Sequence, residues 1–331
     1  MIDLRNRFLI TAFLAASMLI LGCGSTKYQA LNPIEIFETN EGFSITEAGE
    51  KVMSYQRRHK SINGKYLRAN YIHPLYGLDG EILTEDFPAD HPHHRGIFWA
   101  WHQVWLGDKK LGDSWAANDF FWDVYDAKIL DVDSKSRALQ IHVLWKSPLW
   151  TDTDGKKKEF VKETTTIRVH RARNDIRKID FEIKLLALAD GIRLGGSEDE
   201  KGYGGFTTRI PLPDGLSFTG TGGPVEPKNL SVEAGPWLDF SGDFNQDGNI
   251  SGLTILCHNS SPGYPQRWIL RRKGSAQNPV YPGRKPILLS RDKPVILRYR
   301  LIIHRDKLSR GDLDKLQAEY NTELLPIFDD R

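Results

Sequence analysis

Three of the ten histidines in this 331-residue chain fall within four positions, in Asp90-His91-Pro92-His93-His94-Arg95-Gly96. Imidazole is the side chain whose ordinary pKa lets it give and take protons near neutrality. His93 and His94 therefore form a candidate acid/base pair, with His73 upstream or His102 downstream to assist. Arg95 would hold a carboxylate or a developing oxyanion, while Asp90 and His91 would contact the substrate. This chemistry needs no cofactor. Two other readings fit the same residues. Neutral imidazoles at His91, His93 and His94 can bind a divalent metal, with Asp90 as a ligand or supporting one. The histidines can also simply tie loops together. Function concentrates on loops presented by a rigid scaffold, which ranks chemistry first.

Ile97-Phe98-Trp99-Ala100-Trp101-His102-Gln103-Val104-Trp105 follows directly. Read as one strand, it puts Trp99, Trp101 and Trp105 on one face and His102 on the other. Trp115 and Trp122 bring five of the nine tryptophans within twenty-four residues. Indoles with polar edges suit the apolar faces of sugar rings, so Trp99, Trp101 and Trp105 are candidate substrate contacts; they suit an aromatic core equally well.

A second stretch, Glu198-Asp199-Glu200-Lys201-Gly202-Tyr203-Gly204-Gly205-Phe206-Thr207-Thr208-Arg209, is rich in glycine, but no helix follows it as in a phosphate loop. Its glycines allow a tight bend into a strand at 206–210, from which Lys201, Tyr203 and Arg209 can point into a pocket. Lys201 joins the candidate catalytic set as an anion or enolate stabiliser. Asp243-Phe244-Asn245-Gln246-Asp247-Gly248 matches the start of a calcium loop. The position of its bidentate glutamate is Thr254, however, and the flanks read as strands, so a polar hairpin turn is the simpler account.

The elements that must position these residues are β almost throughout. Leu139, Ile141, Val143 and Trp145 alternate with polar neighbours, as do Thr165, Ile167 and Val169; Ile179, Phe181, Ile183 and Leu185; and Val295, Leu297, Tyr299, Leu301 and Ile303. Period-two patterning predicts half-buried antiparallel strands, hence a large all-β sandwich. One helix is expected near the end, starting at Ser309-Arg310-Gly311-Asp312, with Leu313, Leu316 and Tyr320 on one face. Net charge is +2, from 45 basic and 43 acidic residues, which excludes a nucleic-acid partner as an electrostatic expectation.

The first residues carry an address. Arg5 and Arg7 precede an apolar run from Phe8 to Leu21, too short for the ~20 residues of a spanning helix. Ile20-Leu21-Gly22-Cys23 resembles the lipobox of bacterial lipoproteins, so residues 1–22 read as a signal peptide, Cys23 as the lipidated residue and 23–32 as a tether. Acyl chains, palmitate included, on Cys23 would give stable anchoring to a lipid membrane in the cell envelope. Gly24 follows where inner-membrane retention usually needs Asp, which favours the outer membrane. Residues 33–331 then form a single domain. With Cys23 lipidated, Cys257 has no partner and reads as a small core residue.

Tyr71-Ile72-His73-Pro74, the histidine motif, Lys201-Gly202-Tyr203-Gly204-Gly205-Phe206, Trp237-Leu238-Asp239-Phe240-Ser241-Gly242, Arg267-Trp268 and Gln277-Asn278-Pro279 together resemble the bacterial family known as PmoA-like, in its order. The methane-oxygenase chemistry of that label is not implied, since the chain has no transmembrane bundle. The resemblance implies a carbohydrate-pathway protein on a scaffold like the galactose-mutarotase supersandwich, where histidines of a concave sheet face move protons on a sugar. It also singles out His258 as a substrate contact. Where relatives often have Asp-His-Pro, this chain has Cys257-His258-Asn259-Ser260, without the acid.

The expectation is therefore a lipid-anchored enzyme acting on a saccharide by lyase-, isomerase- or hydrolase-type acid/base chemistry. A non-catalytic glycan-binding lipoprotein and a metal-dependent enzyme using the same histidines are the alternatives. Convergence separates them: an enzyme should bring at least two of His73, His93, His94 and His102 into one pocket with Arg95 or Lys201.

Overall fold

The computed structural model describes residues 33–323, so the signal segment, the lipobox at Cys23 and the tether to residue 32 lie outside the described residues. The longest strands are those whose alternation is cleanest. Ser136–Thr151, Lys157–His170, Ile176–Ala187 and Val295–Arg305 lie side by side in one antiparallel sheet of nine strands. Their register sets Leu139 opposite Ile167, Ile167 opposite Phe181 and Phe181 opposite Tyr299. An apolar row thus crosses the sheet on one face, which fixes the pairing, because a slip of one residue would turn every such side chain outward. Phe121–Asp133 flanks this group on one side; Ser251–Cys257, Trp237–Gly242, Ser217–Gly220 and Gly223–Pro224 continue it on the other.

A six-stranded antiparallel sheet packs on that apolar face, in the order Ile34–Glu38, Gly42–Glu47, Glu50–Gln56, Tyr71–Leu75, Ile97–Ala100, Gly205–Thr208. Phe206 stacks on Tyr299 at 4.5 Å and meets Phe181 edge-on at 5.1 Å, so one core runs from sheet to sheet. Ile287–Leu288, Ile192–Gly195, Gln103–Leu106 and Lys109–Gly112 make a third, smaller sheet. The architecture is the all-β antiparallel sandwich that the alternation predicts. Cys257 is buried and unpaired within it.

The core encloses a carboxylate. Glu163 is fully buried and accepts from Asn70 Nδ2 at 2.9 Å and from Trp99 Nε1, Trp145 Nε1 and Thr165 Oγ1, each at 2.8 Å. Four donors satisfy oxygens that would otherwise make burial prohibitive. Burial still pushes its pKa up.

The run from Ile97 to Trp105 is not one strand. Ile97–Ala100 belongs to the six-stranded sheet and Gln103–Leu106 to the small one. Between them the backbone of Trp101 is captured by a turn: Ser114 Oγ accepts from Trp101 N at 2.8 Å, and Ser114 N and Trp115 N donate to Trp101 O at 3.0 and 3.2 Å. The competing turn ends the strand, while His102 stays on the side of Phe98, stacked on Trp115 and edge-on to Tyr203.

The helix Arg310–Thr322 begins where expected. Ser309 Oγ accepts from Asp312 N at 3.2 Å, and Leu313 and Tyr320 are buried. It packs against Trp237, Leu256 and Ile302 on the outer face of the long sheet. Among the described residues, no helix is long and apolar enough to cross a membrane.

Candidate active site

The histidine loop is folded by its own backbone. His94 N donates to His91 O at 2.9 Å, and the loop is closed by Gly96 N donating to Glu85 O at 2.7 Å. Gly96 sits at φ +53°, where a Cβ would fall 2.0 Å from Ile72 O, so glycine alone lets the loop meet the neighbouring strand. The i to i+3 turn stacks the His91 and His94 rings, 4.8 Å apart and 3° from parallel, with His93 edge-on to His94 at 4.5 Å.

These three histidines, His102, Trp115, Lys201 and Tyr203 line one cavity of about 280 Å³, together with Arg271, Ser275 and Asn278. Two of the histidines are anchored to carboxylates. His91 Nδ1–H donates to Asp90 Oδ2 at 2.7 Å, and His102 Nδ1–H donates to Asp113 Oδ2 at 2.8 Å. Each pairing orients the ring through Nδ1 and leaves Nε2 outside the pair. His102 Nε2 is buried and has no hydrogen-bond partner, and neither has His94 Nδ1. Burial lowers the pKa of His93 to about 4, helped by the nearby Arg68 charge, and lowers His94 to about 2, helped by His93 and His91. Both rings are therefore neutral at pH 7. The Tyr203 phenol is pushed up by burial and by Asp199 and Asp113, so it keeps its proton.

The supports behind the cavity are well defined. Asp90 is held by a bidentate pair with Arg209, at 3.0 and 2.7 Å, and Arg209 also grips Glu85 at 2.6 Å. Burial alone would raise the Asp90 carboxyl, but hydrogen bonds from Arg209 and His91 hold it well below the usual carboxylate range. Asp113 Oδ1 accepts from Ala116 N at 2.9 Å, which shapes the turn carrying Trp115. Arg68 Nη2 donates to Ser114 O and Trp115 O, and its guanidinium lies over Phe98 and Trp122. Asn278 clamps the glycine-rich segment: it accepts from Gly204 N at 3.1 Å and donates to Phe206 O at 2.7 Å.

Several residues singled out in the sequence stand elsewhere. Arg95 is fully buried behind the loop, ion-paired with Asp86, bonded to Tyr71 and lying over the Phe87 ring. With no exposed face it holds the loop and meets no ligand. His73 Nδ1 bonds Thr84 Oγ1 at 3.0 Å and does not line the cavity. Trp99 and Trp101 face the core, their indole N–H groups spent on Glu163 and Tyr281 O. Trp105 lies under Lys110 on the small sheet, and His258 packs on Tyr320 beside the helix. The 243–248 segment is a turn in which Asp243 accepts from Asp247 N and Gly248 N. Among the described residues no group of three or more His, Cys, Asp or Glu side chains converges as a metal cage would.

Arg271, Ser275, Asp113 and Trp115 enter the site without having been assigned to it. Arg271 opens the basic run Arg271-Arg272-Lys273, which reads as solvated surface. Asp113 follows Gly112 in an ordinary turn signature. Their roles come from chain crossings that no local pattern records.

A family model described as a family of unknown function (DUF6807) matches residues 43–318, a span that takes in every residue of the cavity. No curated protein matches the chain. Among solved structures the chain is similar to the "putative mutarotase (YeaD)" of Salmonella typhimurium, with 11% identity, 82% of this chain and 88% of that chain covered, and a TM-score of 0.34.

Proposed function

The chain belongs to the DUF6807 family, and we propose that it is a lipid-anchored enzyme that moves protons on a saccharide with the histidines of this cavity. The observation that carries the reading is His102: its Nδ1–H is fixed by Asp113, and its Nε2 is buried without a partner on the cavity wall. Leaving a buried polar atom unpaired costs about 1–3 kcal/mol, a cost expected where a ligand supplies the missing partner. A carboxylate-oriented imidazole with a bare Nε2 is the arrangement of a general base. Tyr203, whose ring lies 4.9 Å from that of His102, keeps its proton and is placed to act as the acid. The rings of His91, His93 and His94 and the flat face of Trp115 would seat the sugar. Lipidation at Cys23, in the outer membrane, is supported by the lipobox pattern alone.

The test is a screen of oligosaccharides, oxidised (keto) sugars included, with the full-length chain, His102→Asn and a His93→Ala, His94→Ala double variant. Turnover by the wild type should fall roughly 10²–10⁴-fold in His102→Asn, the usual contribution of a general base. Equal binding by all three with turnover by none would replace the enzyme by a glycan-binding protein. In the same cells, palmitate labelling should vanish in Cys23→Ala; labelling that persists would sink the anchor.

A further inference from the structure

We infer that the saccharide taken by this cavity is acidic, with its carboxylate seated against Arg271 and Lys201; the inference rests on the reading of the cavity as a saccharide site. The first observation is a charge imbalance. With His93 and His94 neutral, Lys201 and Arg271 are the permanent charges of the lining, and no aspartate or glutamate lines the cavity. The nearby acids are engaged elsewhere: Asp90 with Arg209 and His91, Asp113 with His102 and Ala116 N, Asp199 with Ser197 Oγ and Lys201 N. Lys201 Nζ does reach Asp199 at 3.4 Å, a half-exposed contact that a ligand can share.

Arg271 supplies the second observation. Its Nη1 donates to Lys228 O and Leu270 O, each at 2.8 Å, and its Nη2 donates to Asn229 O at 3.0 Å. Three loop carbonyls thus fix the guanidinium plane without neutralising it. Among the described residues no carboxylate pairs with it, and its Nε–H and second Nη2–H have no protein acceptor. Those two hydrogens form one edge of the guanidinium, the edge that binds a carboxylate through two parallel hydrogen bonds. Burial pushes the Arg271 pKa down, so a ligand anion there recovers lost solvation.

A carboxylate also suits the base. It acidifies the C–H beside it once its own charge is matched by cations. His102 Nε2 takes that proton, and the electron pair of the C–H bond passes into an enolate whose charge lies on the carboxylate oxygens, against Arg271 and Lys201. The enolate is consumed by reprotonation on carbon or by expelling the oxygen on the next carbon, which leaves with the Tyr203 proton. The cavity, about 280 Å³, lies near the lower end of the roughly 300–1,000 Å³ range of small-molecule sites and fits a single sugar unit.

Calorimetry on the full-length chain with uronate oligosaccharides, their neutral counterparts and sulfated, carboxylate-free sugars tests this. Uronates should bind at least tenfold more tightly than neutral sugars, and Arg271→Gln should weaken uronate binding roughly 10- to 100-fold, far more than it weakens neutral sugars, so that the uronate preference is lost. Should Arg271→Gln fold poorly, Lys201→Gln answers the same question. Equal affinity for neutral and uronate sugars, with turnover that still depends on His102, would overturn the acidic substrate and leave the enzyme standing. Tighter binding of the sulfated sugars would overturn the carboxylate. If no saccharide binds, both readings fall together.

Discussion

Two of the buried polar groups in this sandwich are finished to different degrees. Beneath the helix, Arg300 is bonded through Nη2 to Asp180 at 2.9 Å and through Nη1 to Glu323 at 3.0 Å, and His170 meets Asp180 at 2.7 Å. Nearby in the long sheet, His304 uses both nitrogens, on Asp239 at 2.9 Å and on Asp306 O at 2.8 Å. In the cavity, by contrast, His102 and His91 are each tied to an acid through one nitrogen, and His102 Nε2 and His94 Nδ1 are left bare. Both groups contain histidine–aspartate pairs, so the pair alone does not mark chemistry. What distinguishes the cavity is that its histidines with an unpartnered nitrogen line a space large enough for a ligand.

The sharpest way to break this contrast is to delete one partner in the finished group. Arg300→Met leaves Asp180 buried with His170 alone and should cost about 3–5 kcal/mol in urea unfolding, the usual result of orphaning a buried ion-pair partner. His102→Asn leaves a half-buried Asp113 that still accepts from Ala116 N, and its unfolding free energy should move by less than about 1 kcal/mol. If the two variants lose equal stability, the cavity is a structural cluster like the other.

A smaller effect separates the groups by pH. His93 and His94 titrate lower folded than unfolded, because burial and neighbouring cationic groups disfavour their charged forms. The unfolded chain therefore binds more protons below about pH 6.5, and stability falls as the pH drops through that value toward 4. His304 behaves oppositely. Burial opposes its charge, but the Asp239 and Asp306 contacts win and raise its pKa. Its contribution is complete below about pH 6.5 and is lost as the pH rises through the raised folded value. Urea midpoints measured against pH should show the acid-side loss reduced in His94→Gln and the alkaline-side loss reduced in His304→Gln. No change of slope in either variant would mean that these rings do not govern the two limbs.

The scaffold was far more legible than the site. Alternation along Ser136–Thr151 or Val295–Arg305 is enforced by the pleat itself, so strand, face and fold class follow from spacing. His91, His93 and His94 share one local loop, and adjacency in the chain already placed them together. Trp99 and Trp101 obeyed the same alternation, yet their direction depended on Glu163, sixty-four residues from Trp99 and invisible to any local pattern. Arg95 failed as an anion holder for a related reason: Asp86, nine residues upstream, faces it from inside the fold. Arg271 reaches the cavity from the far end of the chain, and only the tertiary crossing turns a surface-like basic run into part of the cavity lining. Crossings of this kind are set by sheet order, and period two carries no information about order.

The smallest expected effect concerns the element that covers the finished group. Ser309 caps the helix Arg310–Thr322 by accepting from Asp312 N, and the helix brings Tyr320 over the Arg300 guanidinium, 4.4 Å from the ring centre. Removing the hydroxyl in Ser309→Ala frees one donor in the first turn, which typically costs about 1 kcal/mol. The helix has its other anchors, Trp237 Nε1 to Asp314 at 2.8 Å and the Glu323 pair with Arg300, so it should stay docked. Urea unfolding should therefore show a loss near 1 kcal/mol, with saccharide binding at the cavity unchanged. A matching loss of binding would mean that the helix and the cavity are energetically coupled, and the two regions could no longer be treated as independent.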